Sequence, residues 1–179
     1  MKIKSLTIYC SSSNKLDQKF YDLTENIGDF LAQNQITIIY GGGNIGLMGK
    51  LSNAALKKGS NVIGVIPEFL KIGENLNLDI SKTITVKNMA QRKKILFEKG
   101  DAYIILPGGS GTIEEATEII SWKILGIHKK PIIIFNFENY WNLMIEMYNN
   151  AKKNKFGDKN LQSICKTVKT FKEFSLLFK

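Results

Sequence analysis

Short apolar runs separated by stretches of helical period constrain the fold of this chain more than any other feature. The runs at residues 5–10 (SLTIYC), 36–40 (ITIIY), 61–66 (NVIGVI), 83–86 (TITV), 102–106 (AYIIL) and 131–135 (PIIIF) are rich in β-branched residues. Several are apolar throughout, as expected of strands in a parallel sheet covered on both faces. Between the first two, Leu16, Phe20, Leu23, Ile27 and Phe30 step by 4, 3, 4 and 3 residues and trace one face of an amphipathic helix. Further helices are predicted over about residues 47–58, 88–99, 112–125 and 140–153. The order implies an α/β fold, a Rossmann-like, doubly wound and mainly parallel sheet with helices on both faces and right-handed crossovers. Such sheets bind ligands beyond the carboxyl ends of their strands, so the loops leaving those ends are where chemistry is expected. Residues 71–81 form one longish irregular stretch, and the tail at 164–179 is expected to add a short strand and helix.

A length of 179 residues with 44% hydrophobic content suits one domain, residues 1–179, around a sizeable core. The opening MKIKSLTIYCSSS lacks the apolar region and cleavage site of a signal peptide, and no apolar run is long enough to span a bilayer. A cytoplasmic protein without membrane attachment is expected. Cys10 and Cys165 have no metal-like or redox spacing and read as buried free thiols, so neither metal nor disulfide is expected. The net charge of +9 invites a nucleic-acid reading. Its distribution opposes one, because the lysines are scattered singly or in pairs. The 25 basic residues also include a single arginine, Arg92, whereas base and phosphate recognition leans on arginine forks.

Two glycine loops follow strands. In YGGGNIGLMG, Gly41, Gly43 and Gly46 match G-x-G-x-x-G, yet the loop follows the second strand and the nearest later acid, Glu68, lies beyond Pro67. A tight strand-to-helix turn explains it at least as well as a dinucleotide site. In LPGGSGTIEEAT, Pro107 ends a strand, Gly108, Gly109 and Gly111 free the backbone, and Thr112 is placed to cap a helix. Amides converging on a helix N-terminus suit a phosphate. Glu115 then fits a capping box with Thr112 as well as it fits a functional role. In NMAQRKKILFEKG, Arg92 projects between Ile95 and Leu96 on the inward face. Burial there demands an ion pair, a snorkelling stem or a ligand in a cleft. Lys93 reads equally as a phosphate contact or a solvated lysine. His128 reads as a loop residue, Ser11 to Ser13 as a polar turn that could line a cleft, and Trp122 and Trp141 as packing residues.

With these motifs the sequence resembles the Lonely Guy (LOG) family of cytokinin-activating phosphoribohydrolases, long mislabelled as lysine decarboxylases. YCSSS, YGGGNIGLMG, VIGVIP, MAQRKK, LPGGSGTIEE and SWKILGIHKKP stand in the family's order, and PGGSGTIEE fits P-G-G-x-G-T-x-x-E. The resemblance implies a single LOG-like nucleotide-binding domain, a homodimer, and no dinucleotide, metal or pyridoxal phosphate. It implies hydrolysis of the N-glycosidic bond of a nucleoside 5′-monophosphate, AMP or an N6-modified AMP, to free base and ribose 5-phosphate. Carried across, Arg92 and Glu114 take the catalytic positions. Gly108, Gly109, Ser110, Gly111 and Thr112 take the phosphate-binding turn, with Lys93 and Glu115 adjoining it. Ala90 stands where many members have histidine, and Ser11 where they often have glycine. The competing reading is a carrier of a phosphorylated ligand, such as the molybdenum-cofactor carriers, for which a carboxylate near the sugar would have no use.

Overall fold

The computed structural model describes residues 3–157 and 159–178. Seven parallel strands form one sheet: β1 (Ser5–Tyr9), β2 (Thr37–Tyr40), β3 (Val62–Pro67), β4 (Lys82–Val86), β5 (Ala102–Ile105), β6 (Ile132–Phe135) and β7 (Lys166–Val168). All six anticipated runs are strands, and β7 is the short strand expected in the tail, whose last residue, Lys179, lies outside the described residues. The opening Met1 and Lys2 also lie outside them. The helices are α1 (Gln18–Gln33), α2 (Gly46–Lys57), α3 (Met89–Lys99), α4 (Ser110–Ile124), α5 (Asn142–Lys153), α6 (Leu161–Ile164) and α7 (Phe171–Ser175).

Alternation along the strands divides the core into two layers. Leu6 and Ile8 of β1 and Ile104 of β5 face one side, where they meet Leu23, Ile27 and Leu31 of α1 and Leu51 of α2. Tyr9, Tyr103 and Ile105 face the other, against Leu96 of α3 and Ala116, Ile119 and Ile120 of α4. Burial of both faces is why the strands read as unbroken apolar runs. The α1 stripe runs as expected through Leu23 and Ile27. The helix starts after Leu16, because the Asp17 side chain accepts from the backbone N–H of Lys19.

The strand order is β4-β3-β2-β1-β5-β6-β7. The chain winds outward from β1 through β4, then returns to place β5 on the other side of β1. At that reversal the loops after β1 and β5 meet: the Ser11 N–H donates to Pro107 O at 3.1 Å, and the Leu106 N–H to Tyr9 O at 2.9 Å. Reversal opens a crevice at the strand ends, the position in which open α/β sheets bind ligands.

No α-helix crosses from β3 to β4, only the single 3-10 turn Glu68–Leu70. The irregular stretch lies instead as a strap over the first glycine loop. Asn77 is fully buried; its backbone N–H donates to Gly42 O at 3.0 Å, and its amide donates to Ser52 Oγ and Asn53 Oδ1, each at 3.0 Å. The N–H of Asn44 reaches Asn75 O at 2.7 Å and Glu74 O at 3.1 Å.

Gly46 opens α2 with φ +58°, and a Cβ there would lie 2.5 Å from the carbonyl carbon of Ser12. The obstruction is backbone and cannot rotate away. Gly46→Ala should therefore destabilise the fold by roughly 1–3 kcal/mol, read as a lowered urea midpoint with an unchanged slope.

Candidate active site

The second glycine loop places an open helix N-terminus at the crevice. Gly109 caps α4 without any side-chain hydrogen bond, and the helix begins at Ser110. This corrects the expectation for Thr112: it is the third helical residue, not the cap, and its buried side chain packs against Gly108 so closely that a Cβ at Gly108 would overlap it. A capping box from Thr112 to Glu115 is thereby excluded. The first-turn N–H groups of Ser110, Gly111 and Thr112 have no intrahelical acceptor. Gly109 and Gly111 have nothing within 4 Å of a built Cβ, so the turn faces open space. Behind it, the Tyr140 hydroxyl donates to Gly108 O at 2.7 Å.

The first loop has no such opening. The N–H of Gly46 is taken by Asn14 Oδ1 at 2.7 Å and that of Leu47 by Ser11 O at 2.9 Å. A dinucleotide pyrophosphate would have to displace both. Glu68 is exposed and pairs with Lys71 at 2.8 Å. The tight-turn reading of this motif is therefore the right one.

A cleft of about 360 Å³ lies between the two loops, lined by Ser11 to Ser13, Gly41, Met48, Leu70, Glu74, Met89, Arg92, the α4 turn from Gly109 to Thr112, and Glu115. Arg92 faces it from α3, with its side chain only 7% exposed. Its Nη1 lies 3.7 Å from Glu74 Oε1 and its Nε 3.9 Å from Glu115 Oε1. Neither separation is a hydrogen bond, and Nε, like Glu74 Oε2, is buried without a hydrogen-bond partner. Arg92 thus ion-pairs with both acids and lines the cleft.

The adjacent glutamates divide. Glu115 points inward with a side chain 12% exposed. Burial pushes its carboxyl up to about 7, with Glu114 and Glu74 adding to the rise and Arg92 and Lys93 opposing it. Burial likewise raises Glu74, against the pull of Arg92. Glu114 points outward, half exposed, and pairs with Lys93, which also binds Glu118 at 3.0 Å. Those two carboxylates hold the Lys93 ammonium above its ordinary range. Glu114 and Lys93 were expected in the site, and the structure joins them to each other outside the cleft lining. Glu115 and the turn from Gly109 to Thr112 are brought together with Arg92, and Gly108 is enclosed behind the turn. Counted from Pro107, the spacing P-G-G-x-G-T-x-x-E itself ends on Glu115.

Glu74 is the site residue that sequence reasoning missed. Its one signal was position in the longish irregular stretch, since long loops within compact folds often carry function. His128 is buried in the loop after α4, its ring Nε2 2.8 Å from Ile119 O, and lies apart from the cleft lining. Trp141 is buried and Trp122 packs edge-on against Phe97 with centroids 4.8 Å apart. Cys10, half-buried at the cleft, and Cys165, buried, are free thiols, and burial raises both. Ala90 is exposed. Among the described residues no group of three or more His, Cys, Asp or Glu gathers for a metal, and no helix is long and apolar enough to cross a membrane.

Residues 48–176 match the family described as "possible lysine decarboxylase". The cytokinin riboside 5'-monophosphate phosphoribohydrolase of Rhodococcoides fascians is 40% identical over 149 residues, covering 83% of this chain and 75% of that protein. The enzyme of the same name designated LOG3 in Arabidopsis thaliana is 36% identical over 172 residues, covering 96% of this chain and 80% of its own length. Among solved structures, the molybdenum cofactor binding protein of Rippkaea orientalis superposes with a TM-score of 0.72 at 17% identity, covering 99% of this chain and 96% of that one. DNA processing protein A of Helicobacter pylori superposes at 0.62 and 15%, covering 97% and 79%. At those identities the two structures establish the Rossmann-like fold.

The raised carboxyl has a consequence for stability. Glu115 moves from 4.5 to about 7 on folding. The stability it contributes is fully present below the unfolded value and is lost as pH climbs through about 7. Glu115→Gln cannot ionise and escapes that loss. Its stability relative to the parent should therefore rise between pH 4 and pH 8 by roughly 1–3 kcal/mol, measured by urea unfolding across that range. A flat difference would mean that Glu115 titrates near its ordinary value.

Proposed function

From the premise that the chain belongs to this family, the one that includes the LOG phosphoribohydrolases, we propose that it hydrolyses the N-glycosidic bond of a nucleoside 5′-monophosphate, AMP or an N6-modified AMP, releasing free base and ribose 5-phosphate. The observation that carries the reading is one cleft with an uncapped helix N-terminus on one wall and the buried Arg92 and Glu115 on another.

The phosphate docks on the first-turn amides of α4, where the helix dipole and free N–H groups favour an anion. The exposed Ser12 and Ser13 offer hydroxyls from the facing loop. With the phosphate held there, the sugar extends toward Glu115 and Glu74. Cleavage breaks the bond from C1′ to the base nitrogen, with the electron pair leaving on the base and positive charge spreading over C1′ and the ring oxygen. Ionised Glu115 stabilises that charge and takes a proton from the water that attacks C1′; the proton then passes to the departing base. Arg92 orients Glu115 and Glu74 with its guanidinium and favours the base as it gains electrons. The apolar side chains of Leu70 and Met89 face the base. This moves the catalytic carboxylate from Glu114 to Glu115, because the outward Glu114 is engaged by Lys93. A carrier needs no buried carboxylate beside its phosphate site, which sets the carrier reading aside. The exposed Ile113, Ile124, Leu125 and Ile127 along and beyond α4 support a homodimer, and two free cysteines suit a cytoplasmic setting.

Incubation with a panel of nucleosides, nucleoside monophosphates and N6-modified AMPs should release base and ribose 5-phosphate from monophosphates only. Turnover of nucleosides at equal rates would contradict the phosphate anchor. Glu115→Gln and Arg92→Ala should each lower kcat by about 10²-fold or more, and Glu114→Gln by less than about threefold. Because Glu115 must be ionised, kcat/KM should fall as pH drops through about 7.

A further inference from the structure

The first glycine loop, freed of any dinucleotide role, stands directly behind the proposed catalytic pair. Gly41 follows Tyr40 at the end of β2, and a Cβ built on it would overlap the Nη2 of Arg92 and approach Met48 Sδ to 3.0 Å. Two residues on, a Cβ on Gly43 would lie 2.9 Å from the backbone oxygen of Glu74. The N–H of Asn44 donates to that same oxygen at 3.1 Å, and Gly43 bridges the strap antiparallel at Leu76. One loop therefore touches the guanidinium from one side and carries the backbone of its carboxylate partner on the other.

We infer that residues 41–44 form a positioning platform: Gly41 seats the Arg92 guanidinium, and Gly43 with Asn44 fixes the Glu74 backbone. The G-x-G spacing here thus serves a guanidinium and a carboxylate, not a pyrophosphate. Gly41 lines the cleft without a side chain of its own to offer a ligand, and acts through Arg92. The obstruction it would otherwise create falls on the flexible end of a side chain and leaves the backbone alone. A methyl group at 41 consequently pushes the guanidinium out of its seat while leaving the strand in place. The inference rests on the proposed activity for its kinetic consequence only.

The test is Gly41→Ala with the carboxyl resonance of Glu115 followed by NMR, which reads the seat whether or not a substrate has been found. The groups facing Glu115 are Arg92 and Lys93 from α3, Glu74 from the strap, Glu114 from its own helix, and Tyr9 and Cys10 from the end of β1. Of these the substitution moves only Arg92, whose charge favours the ionised carboxylate. The Glu115 titration should therefore shift upward, and an unmoved titration overturns the seat. In the assay, Gly41→Ala should lower kcat about 10-fold or more with KM within about threefold, since the phosphate turn is separate. In an Arg92→Lys background, whose ammonium lacks Nη2, the same substitution should cost less than about twofold. An equal cost in both backgrounds would make Gly41 merely structural and refute the proposal. Should Gly41→Ala prove too unstable, the double variant should recover stability, and its failure to do so would also refute it. Absence of base release by the parent would sink the proposed activity and leave the NMR result standing.

Discussion

The burial of one guanidinium organises the cleft. A charge of that kind cannot leave water without compensation, and removing a partner leaves a strongly destabilising uncompensated charge. Arg92 sits on α3 with its side chain 7% exposed, and no acid on α3 reaches it. Compensation has to come from sequence-distant elements: Glu115 from the first turns of α4 and Glu74 from the strap between β3 and β4. Each partner fixes a further feature. Glu115 requires α4 to start where it does, and Glu74 requires the strap to be pinned over the first loop by the buried Asn77. The glycine at 41 then leaves room for the guanidinium itself.

A turn of free amides suited to an anion beside two acidic residues looks contradictory in one dimension and is resolved by helical geometry. Successive residues on α4 point about 100° apart, so neighbouring glutamates cannot share an environment. Glu114 faces outward with Glu118, one turn on, and both hold Lys93. Glu115 falls on the stripe of Thr112, Ala116 and Ile119, all buried. The acid that could repel a phosphate at the turn is thus one turn away from the free amides and turned into the protein, and burial leaves it only partly ionised near neutrality.

Periodicity revealed the sheet and the principal helices, because burial of both faces leaves a strong imprint of apolar runs. Turn chemistry revealed the open α4 N-terminus for the same local reason. Choosing between Glu114 and Glu115 required the phase of α4, and its apolar residues blur that phase: Ile113 and Ile124 are substantially exposed while Thr112 is buried. The phase also decided against Thr112 as a cap. Glu74 was hidden more deeply, since nothing in KIGENLNLD carries a period and its role depends on a strap crossing to a loop some thirty residues earlier. The first glycine loop posed the reverse problem, and its place after the second strand already favoured a tight turn. Its spacing matched a dinucleotide motif, but the helix N-terminus behind it is occupied by Asn14 and Ser11, which only tertiary contacts can supply.

The same contacts bear on the protein's charge. Near the cleft the cationic Arg92 is offset by Glu74 and a partly ionised Glu115, so the binding surface has little net charge of its own. The proposed affinity for a phosphate then rests on directed amides at α4, which discriminate by geometry, more than on a local basic patch. The excess of +9 is spread over lysines elsewhere. A field of that kind draws small anions toward the molecule without dictating where they settle. Separation of attraction from recognition lets a basic chain keep a nearly neutral cleft, in which the carboxylate proposed to meet positive charge at C1′ is not silenced by neighbouring cations.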